Sequence, residues 1–118
     1  MKQVSLPKQI LSIHSSEEFD KLLNNYDNII IIDFTAVWCG PCKIYGPIFE
    51  RLHNEYRNEF IFVKVDVDHA PEIARRYMIS GVPSTLFIRR GEIINKVVGV
   101  MNYDNMKNLL EKLKDYNH

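Results

Sequence analysis

The chain has 118 residues, 46% of them hydrophobic and 25% charged, and its fifteen basic and fifteen acidic side chains cancel to a formal net charge of zero. A chain of this length removes about two-thirds of its unfolded surface from water, so residues 1–118 are expected to form a single domain that needs no structural staple. The zero balance leaves no bulk field toward nucleic acid or an anionic membrane, and no apolar run reaches the ~18 residues of a bilayer span.

The first residues, "MKQVSLPKQI", lack the apolar segment of a signal peptide, so a cytoplasmic location is expected unless a leader was trimmed; a monomer is expected separately. A short strand is predicted around Gln9 to Ile13. Ser15 with Glu18 three residues later gives a capping-box signal, and Phe19, Leu22, Leu23 and Tyr26 follow at helical spacing. "NIIIIDF" (Asn28 to Phe34) is apolar on both alternating faces, the pattern of a central strand covered on both sides.

From Pro41 to about Tyr56, the residues Ile44, Ile48, Phe49, Leu52 and Tyr56 recur at three- and four-residue spacing and predict a long amphipathic helix. Pro47 falls inside it and lacks the N–H that would bond the Lys43 carbonyl, so a kink is expected there. "FIFVKVDV" (Phe60 to Val67) is a second doubly apolar strand, and strand, helix, strand implies a right-handed parallel unit. Pro71 suits the first turn of a further helix with Ile73, Ala74, Tyr77 and Met78 as its apolar stripe. "STLFI" and "EIINKVVGV", separated by "RRG", read as an antiparallel hairpin, and a last helix from about Tyr103 to Tyr116 turns Met106, Leu109, Leu110 and Leu113 inward. The sum is an α/β chain with a mixed sheet between helices.

Both cysteines lie in "TAVWCGPCKIYGP" (Thr35 to Pro47), with two residues between them. Cys-x-x-Cys is half of many zinc sites, but no second pair exists, and His53 and His69 stand sixteen positions apart rather than at finger spacing. A disulfide closing so short a loop is also the least useful staple in the chain-entropy picture. Reversible making and breaking of the bond is the remaining reading. Residues three apart on a helix have Cβ atoms about 5–6 Å apart, and a disulfide wants about 3.5–4.5 Å. A small adjustment in a first turn therefore accommodates both redox states. Gly40 allows a sharp entry and Pro41 loses no helical bond there. Unpaired N–H groups and the helix dipole favour a thiolate at Cys39, the candidate nucleophile. Cys42, one turn inside and expected to be the less exposed, is the candidate resolving thiol.

"WCGPC" at Trp38 to Cys42, preceded by a strand and opening a helix with an internal proline, resembles the active-site signature of the thioredoxin family. The likeness extends to "DF" six residues before Cys39, to Pro47, to "VKVDVD" at Val63 to Asp68, to "GVPST" at Gly81 to Thr85 and to "VVGV" at Val97 to Val100. It implies a thioredoxin fold, a central mixed sheet of about five strands flanked by four helices, and a protein-disulfide reductase that cycles Cys39 and Cys42 between dithiol and disulfide. It further implies no bound cofactor, disulfide-containing targets, and a thioredoxin reductase that passes on electrons from NADPH.

By the same resemblance Asp33 assists proton transfer at Cys42, and a carboxylate ending a doubly apolar strand should have a raised pKa. Taken alone, Asp33 could merely end the strand. Lys64 occupies the family's position for a partner of that aspartate, or else is a strand lysine reaching to solvent. The resemblance makes the Val82–Pro83 bond cis, against the about 5–6% of X–Pro bonds that are cis in general. It also places Trp38, Gly40, Pro41, Val82, Pro83 and Gly99 on an apolar docking surface, although Trp38 alone could equally be a core residue. Thr35, "IYG" at Ile44 to Gly46, and Ser84 depart from the usual pattern. His14, His53, His69 and His118 receive no role. Two competing readings are a disulfide oxidase or isomerase of the same fold, which Pro41 argues against, and a docking subunit of a larger assembly.

Overall fold

The computed structural model describes residues 5–117. In chain order the elements are β1 (Leu11–Ser12), α1 (Ser16–Asn25), β2 (Ile30–Thr35), α2 (Gly40–Tyr56), β3 (Ile61–Asp66), α3 (Pro71–Arg76), β4 (Ser84–Arg89), β5 (Glu92–Val98) and α4 (Tyr103–Leu113), followed by a 3-10 turn over Lys114–Asn117. The five strands form one sheet in the order β1-β3-β2-β4-β5. β1, β3 and β2 run parallel, whereas β4 is antiparallel to both β2 and β5. This is the thioredoxin fold, a mixed sheet with two helices against each face.

β2 lies at the centre because both its faces are apolar. Ile30, Ile32 and Phe34 join Phe19, Leu22, Ile73 and Tyr77 in the core beneath α1 and α3. Ile29 and Ile31 join Tyr45, Phe49, Leu52, Met106 and Leu110 in the core beneath α2 and α4. Ser15 caps α1 by accepting from the Glu18 N–H at 3.2 Å. The β4–β5 hairpin turns on Arg90 and Gly91, both at positive φ (52° and 81°), the backbone twist that suits a two-residue hairpin loop.

Expectations for four elements are corrected. Ile44 is 65% exposed, and Tyr45 takes the inward position instead, because the buried face of α2 runs through Cys42, Tyr45, Phe49, Leu52, His53 and Tyr56. Met78 is 81% exposed, since α3 ends at Arg76 and Met78 turns left-handed at φ 53°, leaving the stripe. α4 stops at Leu113, and Tyr116 belongs to the 3-10 turn that follows. β1 is also shorter than predicted, although the Ile13 N–H continues its ladder to the Lys64 carbonyl at 3.1 Å. α2 runs on through Pro47. His118 lies outside the described residues.

Candidate active site

β2 ends at Thr35, and the turn after it delivers Cys39 as the N-cap of α2, with Gly40 and Pro41 as the first helical residues. Cys39 and Cys42 are joined in a disulfide with a Cα–Cα separation of 5.3 Å, inside the range a disulfide accepts. The Cys42 N–H donates to the Cys39 sulfur at 3.1 Å. A helix start has N–H groups without intrahelical partners, so a negative sulfur at the N-cap gains a hydrogen bond and the favourable end of the helix dipole. The two cysteines do not differ in burial as expected: Cys39 is 3% exposed and Cys42 6%. What separates them is contact. Cys39 Sγ lies 3.6 Å from the Val82 carbonyl oxygen and holds the capping position, whereas Cys42 sits within the helix.

The Val82–Pro83 bond is cis. It brings "GVPS" against the cysteines, with Ala36, Cys39 and Cys42 packed on Val67 and Val82. The Ser84 hydroxyl donates to the Gly81 carbonyl at 2.6 Å and so fastens the turn across the proline. Gly99, at φ 87°, donates its N–H to the Pro83 carbonyl at 2.8 Å. That conformation suits glycine, which has no Cβ to clash. Trp38, Gly40 and Pro41 are exposed beside the disulfide, Val82 and Gly99 are half-buried, and Pro83 is buried. Trp38 is no core residue: it is 68% exposed, and its Nε1–H donates to Asp68 Oδ2 at 2.7 Å. Nothing local in the sequence ties Asp68, the last residue of "VKVDVD", to an indole thirty positions earlier.

Beneath α2, Asp33 is 2% exposed and its Oδ1 has no hydrogen-bond partner. Burial lifts its pKa to about 6, and the positive charge of Lys64 opposes part of that rise. Lys64 is the cross-strand neighbour of Asp33 in the β2–β3 ladder. Its ammonium lies 3.9 Å from Glu50 Oε1 and is partly open to solvent, so Lys64 both acts on Asp33 and reaches outward. A carboxyl held near neutrality under the helix that carries Cys42 is chemically suited to take and return a proton. Among the described residues, no group of three or more His, Cys, Asp or Glu is placed to hold a metal ion.

The thioredoxin family model matches residues 10–112. The chain belongs to the thioredoxin family. Its relatives include thioredoxin of Mycoplasmoides gallisepticum, 40% identical over 99 residues, a match covering 84% of this chain and 97% of that protein. The TPR repeat-containing thioredoxin TDX of Oryza sativa subsp. japonica is 42% identical over 93 residues, 76% of this chain, and the chain spans only 29% of that longer protein. Among solved structures, Schistosoma mansoni thioredoxin superposes with a TM-score of 0.80 at 36% identity, covering 89% of this chain and 95% of that one. The thioredoxin family comprises thiol-disulfide oxidoreductases, and the Cys39–Cys42 pair stands where such chemistry needs it. No helix among the described residues is long and apolar enough to cross a membrane.

Proposed function

We propose that this chain, as one thioredoxin domain over residues 1–118, reduces disulfides in other proteins. The Cys39 thiolate attacks a sulfur of the target disulfide, forms a mixed disulfide and releases the first target thiolate. Cys42 passes its proton to Asp33 and attacks Cys39, releasing the second target thiolate and leaving the Cys39–Cys42 disulfide. Two electrons have then moved to the target. A thioredoxin reductase drawing on NADPH restores the dithiol, and no cofactor is bound to the chain itself.

In this reading Lys64 moderates the charge of Asp33. Trp38, Gly40, Pro41, Val82, Pro83 and Gly99 receive the target, whose extended backbone pairs with Val82 by strand addition. The protein works as a cytoplasmic monomer. The observation that supports the assignment of Cys39 is the Cys42 N–H donated to its sulfur at a helix N-cap.

The test is reduction of a protein disulfide with thioredoxin reductase and NADPH, followed by target trapping. Cys39→Ser is expected to abolish turnover, and Cys42→Ser to accumulate a mixed disulfide on Cys39. Turnover that survives Cys39→Ser, or a Cys42→Ser variant that captures nothing, sinks the assignment.

A further inference from the structure

A tyrosine wholly inside a core must find a partner for its hydroxyl or carry a desolvation penalty. Tyr45, on the buried face of α2, finds Thr85 of β4, whose Oγ1–H donates to Tyr45 Oη at 2.7 Å. The proton of Tyr45 itself faces only Met106 Sδ at 3.7 Å, a weak acceptor. Packing alone does not require this arrangement, since two apolar residues of similar size would fill the same space without orphaned groups.

The pair is placed against the reacting groups. Thr85 stands directly opposite Asp33 in the β2–β4 ladder, and such cross-strand pairs share a face with Cβ atoms about 4.5–5.5 Å apart. Tyr45 follows Cys42 by three residues, the spacing of neighbours on one helix face. Asp33 Oδ1, buried and without a partner, is the acceptor this corner leaves open. The ionisable groups coupled to it are Lys64 from β3 and Tyr45 from α2; Glu50 of α2 pairs with Lys64 at 3.9 Å, and the two cysteines of α2 are held as a disulfide. Thr85 from β4 and Met106 from α4 carry no charge.

We propose that Thr85 and Tyr45 are positioning residues for Asp33: a chain of two buried hydroxyls whose hydrogen bonds reverse direction when the carboxyl loses its proton. Hydroxyl hydrogens rotate freely. With Asp33 protonated, Thr85 donates to Tyr45 across the 2.7 Å contact. With Asp33 ionised, the Thr85 O–H turns to the carboxylate, directly or through one water, and Tyr45 donates to the Thr85 oxygen. Neither hydroxyl gives up its proton; the proton that Asp33 gains is the one Cys42 releases. The chain therefore eases ionisation in a site where burial opposes it.

The inference rests on Asp33 serving as the proton acceptor, and the experiment separates the two claims. The Asp33 carboxyl is followed by carbon NMR across pH in wild type, in Thr85→Ser and in the double variant Tyr45→Phe/Thr85→Val, which removes both hydroxyls and orphans neither. The double variant is expected to titrate about half a pH unit or more above wild type, since a donor to the charged form is lost, and Thr85→Ser to titrate with wild type. Equal midpoints in wild type and the double variant overturn the proposal, as does a Thr85→Ser protein that titrates with the double variant. Release of a target from the Cys39 mixed disulfide, timed in wild type and Asp33→Asn, tests the carboxyl's role independently. A release rate unchanged by Asp33→Asn removes the role of Asp33 and leaves the titration result standing.

Discussion

Asp33 is a residue at which burial and charge act against each other, and the direction of its pKa fixes a stability prediction. Its folded pKa, about 6, lies above its unfolded value of 3.8. Between those values the unfolded chain holds fewer protons than the folded one, so stability falls as pH rises through that window. The contribution is fully present below pH 3.8 and gone above about 6. Asp33→Asn has no such slope. Its stability relative to wild type is expected to grow by about 2–3 kcal/mol between pH 3.5 and 7, measured by urea unfolding at a series of pH values; a difference that stays flat refutes the assignment. The cysteine pair and the burial of Asp33 were legible in the sequence because a pair of thiols one turn apart, and a charge in a doubly apolar strand, are anomalies visible locally, whereas a role for Asp33 came only from the family resemblance. Tyr45 and Thr85 were not, because each is an ordinary residue for its element and only the fold brings the two hydroxyls within 2.7 Å.

At the scale of elements, α3 shows a local cost. Its end carries the Met78 N–H to the Arg75 carbonyl at 3.1 Å and the Ile79 N–H to the Ala74 carbonyl at 2.9 Å, the two bonds of a Schellman cap. The residue that must turn left-handed in such a cap is usually glycine, and here it is Met78 at φ 53°. Met78→Gly is therefore expected to stabilise the protein by about 1 kcal/mol, read as a higher Tm; a lower Tm counts against the cap argument. The apolar stripe predicted for this helix failed at Met78 for the same reason, since periodicity cannot see where a helix stops. α2 failed differently. Ile44 and Tyr45 both offer apolar surface to the period, and the buried phase follows the large ring that packs on Phe49 at a centroid distance of 6.1 Å.

At the scale of the whole molecule, the parallel β2–α2–β3 unit, the β4–β5 hairpin and the two-sided cover were readable because β2 and β3 are apolar on both faces and the hairpin signals its own turn. The far end of the chain was not. There the Asn117 side chain accepts from the Ile29 N–H at 2.9 Å and donates to the Glu59 carbonyl at 2.8 Å, joining the last turn to the chain entering β2 and β3. A single asparagine after a helix gives no periodic signal, so sequence reasoning had no means to place it. Asn117→Ala leaves a buried backbone donor unpaired and is expected to cost about 1–3 kcal/mol, with faster hydrogen exchange at Ile29 and unaltered disulfide reduction. Exchange at Ile29 no faster than in wild type excludes the clamp.

Trp38 is the chain's only tryptophan, and Asp68 fixes its indole in the open beside the disulfide. Emission excited in the indole band therefore arises from one place in the molecule. The protein carries its own optical label beside the disulfide, so under the proposed function redox poise and target occupancy are expected to register in the emission of the unmodified chain, without a dye.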